Sequence, residues 1–339
     1  MRPLASLLIA CALLALAAPL VDAQSDAFLL ALVRDDGVML PVAAHDRGRW
    51  RMPWPGPAKE AVVPIRLEDC PRAWWGLPAA PREWTLLTPG ESPRQVTVDR
   101  PTWVPSFCQQ QVVLHSRTAT RPVLRDAEGG RPPTYGVAIA GPGTVTLPRP
   151  VPTDDPEARV LLDGLQQAFN REERLMLAED YFAVYQPSID AEQRDRMPVQ
   201  ARSIHAGPGR TGGPTYYVEL MRHYPRRMPE HLQWCDEVTY MAGWVRQRQD
   251  DSLDLTLVTR AVTSCLLETM QRSEPLAIVH TARGPVWMLE LYRPDSQVLG
   301  MFLAPTDEFP EPVLIRDLGR CEPGQRPRRG APTTDTEVP

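Results

Sequence analysis

The sequence predicts a mainly β protein of the α+β class. We expect an N-terminal antiparallel β-meander, a short helical segment and a C-terminal antiparallel sheet. Two observations indicate this class. Short apolar runs recur between turns rich in Gly, Asp and Pro, and 38 of the 339 residues are Pro, spread along the whole chain. Because Pro breaks helices and is tolerated at strand ends, this distribution favours a loop-rich β fold.

Residues 1–23 have the pattern of a secretory signal peptide. Arg2 precedes a mostly apolar run, and Val21-Asp22-Ala23 supplies the small residues of a cleavage site. We expect cleavage after Ala23 and export to the periplasm or the medium. An uncleaved membrane anchor is an alternative, since a run of about 18 apolar residues approaches the length of a spanning helix. A lipoprotein site at Cys11 is disfavoured by the apolar residues that follow it.

The composition limits the partners of the mature chain. Cleavage would remove one positive and one negative charge, which leaves the formal net charge at -5. This mild acidity gives no attraction to nucleic acid or to an anionic membrane. Lys59 is the only Lys and lies in a proline-rich loop without a catalytic motif, so we expect no Lys-dependent chemistry. The excess of Arg, Ala, Gly and Pro is typical of a bacterial genome rich in G and C.

Residues 24–150 are predicted to form one β-rich region, sandwich-like or barrel-like. Three apolar runs between Ala27 and Pro53 are separated by turns that end in Gly37 and Gly48, and such turns are a strong hairpin signal. Further strand-like runs are AVVPIRL, EWTLL, RQVTV, QQQVVLHS and YGVAIAG.

Residues 151–320 are predicted to contain the helical segment and a second antiparallel sheet. Asp155 and Pro156 form an N-cap and first helical position, and apolar residues at helical spacing follow, which places one or two helices between about 156 and 180. Strand-like runs joined by short turns then continue toward the end of the region. The tail, 321–339, is polar and rich in Pro and Gly, and we expect it to be disordered.

Five cysteines would remain after signal cleavage, and export predicts disulfides. If VTYMAGWVRQ and LDLTLVTRAV form a hairpin that turns near Asp250, Cys235 lies opposite Cys265, at a separation that suits a disulfide. Cys70 and Cys108 are the natural second pair. Cys321 would then be free, would bond to another chain, or would displace one of these partners.

Neither a metal site nor a cofactor is expected. His231, Cys235 and the nearby His223 could supply ligands, but the chain has no CxxC or HExxH spacing there. A nucleophilic Cys235 is disfavoured because, in an oxidising compartment, a thiol beside a second cysteine would tend to be oxidised to a disulfide.

Two loops resemble ligand motifs but lack their defining residues. Gly207–Gly213 has the glycine content of a phosphate loop, lacks the GK[ST] ending and precedes a strand, which favours a turn or lid in which His205 and Arg210 are the polar residues. Asp250–Asp254 lacks the ligand spacing of a calcium loop.

Two acids in strand-like runs, Glu219 and Glu290, are candidates for paired-carboxylate chemistry, together with Asp236 and Glu237. Two such acids about 5 to 10 Å apart would suit glycoside hydrolysis. Exposure on the solvated face of a sheet is the favoured alternative, so we assign no catalytic residue.

The tryptophans of the first region are candidate ligand-binding residues. Trp50, Trp54, Trp74 and Trp75 could stack on sugars or peptides, although filling a small β core is the commoner role of Trp. In an extended chain Trp74 and Trp75 would point to opposite faces.

The sequence thus favours a non-enzymatic binding or interaction module of the bacterial cell envelope, whose partner would be a protein or a glycan. We expect no membrane span after signal cleavage. An exported carbohydrate-active hydrolase is the alternative.

Overall fold

The computed structural model describes residues 26–34, 38–58, 66–77, 79–116, 134–179, 189–224, 237–247, 252–264, 272–293, 295–306 and 310–322. Three antiparallel sheets and two α-helices make up this part of the chain. The predicted mainly β, antiparallel class is therefore confirmed.

The N-terminal strands form a barrel. Its six strands follow one another around the ring in the order β1-β7-β4-β5-β6-β2, and pairing of β1 with β2 closes it. The short β3 extends the sheet beyond β2, across a turn in which Arg47 and Gly48 both adopt positive φ. Closure leaves none of the six strands with an unpaired edge, which protects the barrel from edge-to-edge association. The strands are β1 (Phe28–Arg34), β2 (Val38–Asp46), β3 (Arg49–Arg51), β4 (Glu83–Leu87), β5 (Arg94–Ser106), β6 (Gln109–Ser116) and β7 (Thr134–Ala140).

The remaining strands form two five-stranded sheets. The helix-side sheet has the order β13-β12-β11-β10-β9, and the barrel-side sheet has the order β17-β16-β15-β14-β8. The bounds are β8 (Thr144–Thr146), β9 (Arg149–Pro150), β10 (Gln200–Pro208), β11 (Pro214–Tyr224), β12 (Glu237–Gln247), β13 (Leu253–Ser264), β14 (Arg272–Thr281), β15 (Gly284–Arg293), β16 (Ser296–Leu303) and β17 (Glu311–Arg320).

The sheets, the barrel and a helix stack in layers. An aromatic cluster that includes Tyr217, Trp244 and Trp287 fills the space between the two sheets. Helix α1 (Pro156–Leu177) covers the outer face of the helix-side sheet, and the outer face of the barrel-side sheet packs on the barrel. Alternation along the strands makes this possible, because successive side chains of one strand serve opposite cores.

Helix α1 begins as the sequence predicts. The Asp155 carboxylate accepts a hydrogen bond from the Glu157 N–H at 2.8 Å, and Pro156 follows the cap. A second helix, α2 (Ala191–Arg196), lies beside α1. None of the helices in the described ranges combines the length and apolar character needed to cross a bilayer.

The barrel and the barrel-side sheet are joined by a buried arginine. Arg316, on β17, donates hydrogen bonds to the carbonyl oxygens of Val42, Trp54 and Pro55 at 2.9–3.0 Å. Burial lowers the pKa of its guanidinium to about 10. Three backbone acceptors thus hold the last strand against the barrel.

A disulfide reinforces this junction and corrects the predicted pairing. Cys108, in the β5–β6 turn, is bonded to Cys321, one residue beyond β17. The predicted Cys70–Cys108 bond is therefore wrong, because long-range packing brings the end of the last strand to Cys108. Cys70 is a buried free thiol. Burial, with the nearby charges of Asp69 and Glu68, raises its pKa to about 11.

The predicted β12–β13 hairpin is present, with one change of register. Near the tip Gln247 faces Leu253, as the sequence predicts, whereas beyond a bulge Glu237 faces Ser264 in place of Thr263. The bulge lies at Gly243, where a Cβ would be 2.2 Å from the Thr256 carbonyl oxygen. Cys235 and Cys265 lie outside the described residues, so their disulfide stays a prediction.

Candidate functional site

Glu219, one of the acids considered for catalysis, has both hydrogen-bond donors and arginine side chains around its carboxylate. It lies on β11, between the two sheets, and is buried. Its carboxylate accepts hydrogen bonds from the Tyr240 hydroxyl at 2.6 Å and the Ser203 hydroxyl at 2.9 Å. The Nε atoms of Arg272 and Arg202 lie 3.8 and 4.0 Å from its oxygens. The expectation of a solvated Glu219 is wrong, because neighbouring strands supply donors and counter-charges that make burial tolerable.

The Glu219 network continues into the barrel-side sheet. The Ser273 N–H donates to the Tyr240 hydroxyl at 3.2 Å, and the Ser273 hydroxyl lies 2.5 Å from the Tyr217 hydroxyl. Burial is the main cause that raises the pKa of Tyr217 and of Tyr240, so both keep their protons at neutral pH. The network therefore links the two sheets through polar side chains.

Glu290 does not join this network. It lies on β15, is buried, and accepts hydrogen bonds from Thr134 of the barrel at 3.1 Å and from the Gln297 amide. Its expected solvated position is also wrong. Because Glu290 faces the barrel and Glu219 projects from the helix-side sheet toward the opposite face of the barrel-side sheet, the barrel-side sheet separates them. The side chains of Asp236 and Glu237 lie outside the described residues.

His205 borders the Glu219 network. Burial lowers the pKa of its ring, and the charge of Glu219 opposes that shift only in part. Its Nδ1 is buried without a hydrogen-bond partner among the described residues.

The glycine-rich loop is a hairpin turn. The Gly209 N–H donates to the Gly213 carbonyl, and Pro208 faces Pro214 at the end of the β10–β11 ladder. At Gly207 a Cβ would be 2.6 Å from the Trp287 ring, so this glycine allows close packing between the sheets. Arg210 is exposed.

The four candidate tryptophans differ in burial. Trp54 and Trp75 are buried, and the Trp54 indole donates to the Val112 carbonyl at 2.9 Å, so neither ring presents a face to a ligand. Trp50 and Trp74 are partly exposed and pack against the barrel core. Trp74 ends a 3-10 helix (Arg72–Trp74), so Trp74 and Trp75 do not lie in an extended segment.

Sequence reasoning missed a second buried ionic cluster, which lies beneath helix α1. Arg222 of β11 is fully buried and donates to Glu173 at 2.8 Å and to the Asn170 side chain at 2.5 Å. Its guanidinium also lies 4.8 Å from the centre of the Phe169 ring. Glu173 accepts a further bond from the Tyr224 hydroxyl. The available signal was Glu173 itself, which continues the apolar stripe of α1 one turn after Phe169.

A cleft of about 430 Å³ lies along α1 next to this cluster. Five side chains of the helix line it, at the spacing of a continuous stripe. They are Gln167, Asn170, Arg171, Arg174 and Leu175. We call this feature the α1 cleft. It is open to solvent, because all of its lining side chains belong to one face of a single helix.

Ion pairs hold the two arginines of the α1 cleft. Arg171 donates to Asp254 at 2.5 Å, and Arg174 pairs with Asp195 on α2. Burial opposes ionisation of Asp254, but hydrogen bonds from Arg246 and the Leu255 N–H keep the pKa of its carboxyl below the usual range. The carboxylates thus orient both guanidiniums.

Side-chain chemistry in the α1 cleft suits binding. The lining contains amide and guanidinium donors and one exposed apolar side chain, but no carboxylate. Across the described ranges, no group of three or more His, Cys, Asp or Glu side chains could hold a metal ion. Comparisons of the chain with protein-family models, with curated proteins and with solved structures find no match.

Proposed function

We propose that this chain is an exported binding module of the bacterial cell envelope and that the α1 cleft is its binding site. The single observation that carries the proposal is that the two candidate catalytic acids have internal hydrogen-bond partners, whereas the α1 cleft is lined mainly by hydrogen-bond donors. Glu219 and Glu290 are engaged in internal hydrogen bonds on either side of one sheet, whereas two guanidiniums, two amides and one leucine line the α1 cleft. Such a site can hold a ligand, and the carboxylates beside it, Asp254 and Asp195, are engaged in ion pairs with its two arginines, which disfavours a role in proton transfer.

Export is supported by two independent features. The first is the signal-like segment that ends at Ala23. The second is the Cys108–Cys321 disulfide, since disulfides form and persist mainly in oxidising compartments. N-terminal sequencing of the protein recovered from a bacterial host should begin at Gln24. A mature chain that retains residues 1–23 would contradict cleavage.

The distinction between binding and hydrolysis can be tested with one ligand panel. Soluble envelope glycans and peptides are titrated into the mature protein while the products are followed by chromatography. We expect saturable binding of at least one class with no product formed. Hydrolysis that disappears in Glu219→Gln, while the variant remains folded, would overturn the proposal in favour of the hydrolase.

A further inference from the structure

The α1 cleft has the chemistry of a site for acceptor-rich ligands. Arg171 and Arg174 are 41% and 59% exposed although each contacts a carboxylate. A guanidinium carries five N–H donors; Asp254 and Glu172 lie against Arg171 and Asp195 lies against Arg174, which engages only part of these donors. Donors therefore remain for an incoming anion, in an orientation that the protein has already set.

Two acceptor groups near the cleft, the Asn170 side-chain oxygen and the Asp195 carbonyl, already receive hydrogen bonds. The Asn170 side-chain oxygen accepts from Arg222 at 2.5 Å and from Gln166 at 3.3 Å. The backbone oxygen of Asp195 accepts from the amides of Gln166 and Asn170. A ligand that offers donors would find few acceptors here, whereas a ligand that offers carboxylates would meet guanidinium and amide donors.

The shape of the cleft and one apolar residue narrow the ligand class. The positions from Gln167 to Leu175 span about 12 Å along the helix axis, which is the length of about four residues of extended peptide. Leu175, at one end of the stripe, is 56% exposed. An apolar side chain next to the carboxylates would therefore gain contact with Leu175.

We infer that the α1 cleft binds a short acidic peptide segment of a partner protein, with an apolar residue beside its carboxylates. This inference rests on the proposed binding function and deepens it. Uncharged glycan is disfavoured because the stripe contains no aromatic face on which a sugar could stack. The guanidiniums of Arg171 and Arg174 would bind the carboxylates of the peptide, and Leu175 would contact its apolar side chain.

Fluorescence anisotropy with the peptide Leu-Glu-Glu-Leu-amide, which carries an uncharged dye on its N-terminus, tests the inference. Its neutral counterpart contains Gln in place of each Glu, and an uncharged oligosaccharide serves as the third probe. We expect the acidic peptide to bind about tenfold more tightly than the neutral peptide, and added salt to weaken its binding. Arg174→Gln should raise its Kd about tenfold.

Arg159→Gln is the matched control. Arg159 is exposed on the same helix but does not line the cleft, and its loss changes the net charge equally. We expect its Kd to stay within about twofold of wild type, because a charge outside the site acts only through screened long-range attraction. Gln167→Asp places a carboxylate in the cleft and should abolish the preference for the acidic peptide. Equal losses in Arg174→Gln and Arg159→Gln would overturn the inference.

The remaining outcomes show whether the acidic-peptide inference fails alone or together with the proposed binding function. Binding of the oligosaccharide without the acidic peptide would overturn the peptide inference and leave a binding module. Failure of all three probes to bind would overturn the inference, whereas the glycan-hydrolysis assay decides the proposed function. Sedimentation that reveals a dimer dissolved by Leu175→Asp would also overturn it, since a second copy of this chain would then occupy the cleft.

Discussion

The disulfide between Cys108 and Cys321 joins a turn of the barrel to the end of the last strand, across 213 positions of sequence. Around it, the Ser106 hydroxyl donates to the Leu318 carbonyl at 3.0 Å, and the Arg320 N–H donates to Gln109. The bond therefore closes a junction that hydrogen bonds already define.

Removal of this disulfide should lower the stability of the whole chain. We expect the Cys108→Ser, Cys321→Ser double variant to lose about 2–5 kcal/mol in free energy of unfolding, because the unfolded chain regains the freedom of a very long loop. Urea unfolding under non-reducing conditions measures this loss. Dithiothreitol should destabilise the wild type more than the double variant, because reduction of the predicted Cys235–Cys265 bond affects both proteins whereas Cys108–Cys321 is present only in the wild type. A loss below about 1 kcal/mol would show that the junction does not depend on the bond.

The disulfide between Cys235 and Cys265 is a separate prediction. The described β12–β13 ladder ends at the pair Glu237 and Ser264; in the sequence, Cys235 precedes Glu237 by two residues and Cys265 directly follows Ser264. Digestion at arginine under non-reducing conditions, followed by mass spectrometry, should link Cys235 to Cys265 and leave Cys70 as a free thiol. A free or zinc-bound Cys235 would refute the pairing.

Loss of Glu173 should lower the stability of the protein, because the buried charge of Arg222 would lose its carboxylate partner. In Glu173→Ala the guanidinium of Arg222 would remain buried without its carboxylate partner, so we expect a loss of about 3–5 kcal/mol in free energy of unfolding. Glu172→Ala is the matched control, because Glu172 is the adjacent acid on α1. Glu172 is more exposed than Glu173, and its contact with Arg171 is longer, at 3.7 Å. Its cost should stay below about 1 kcal/mol. Chemical denaturation measures both, and equal costs would contradict a special role for the buried pair.

His205 should make stability depend on pH. Its ring pKa is lower in the folded chain than in the unfolded chain, mainly through burial. The unfolded chain therefore binds a proton more readily, so stability is complete above about pH 6.5 and declines as the pH falls from there toward the folded-state pKa. His205→Gln should flatten this part of the stability curve.

His280→Gln provides the comparison for His205. His280 is exposed on β14 and lies 3.0 Å from the Thr146 hydroxyl. Thermal unfolding is measured from pH 5 to 8. At each pH, the free energy of unfolding of this variant should stay within about 0.5 kcal/mol of the wild-type value. A slope that His205→Gln leaves unchanged would assign the pH dependence to other groups.

The hairpin between β12 and β13 shows how far local pattern reaches. Alternation and the turn near Asp250 predict both strands and the pairing near the tip. Beyond Gly243 the register changes by one residue. A bulge depends on how two backbones approach, which period-two alternation does not reveal.

Glu219 and Glu290 show what local sequence pattern does not predict. Glu219 and Glu290 occupy strand positions that alternation would allow on either a wet or a dry face. Their burial follows from donors far along the chain, such as Tyr240 for Glu219 and Thr134 for Glu290. Charge alone therefore predicts exposure wrongly when the fold supplies hydrogen-bond partners.

By itself, the sequence determined the β-rich class, the turn at Gly48, the start of α1 and the β12–β13 pairing near its tip, because these depend on backbone propensity and short-range periodicity. Only the tertiary structure decided barrel closure, the Cys108–Cys321 pairing, the burial of Glu219, Glu290 and Arg222, and the α1 cleft. Each of these joins residues that are distant in sequence. Their proximity results from how the layers pack, and no local pattern records it.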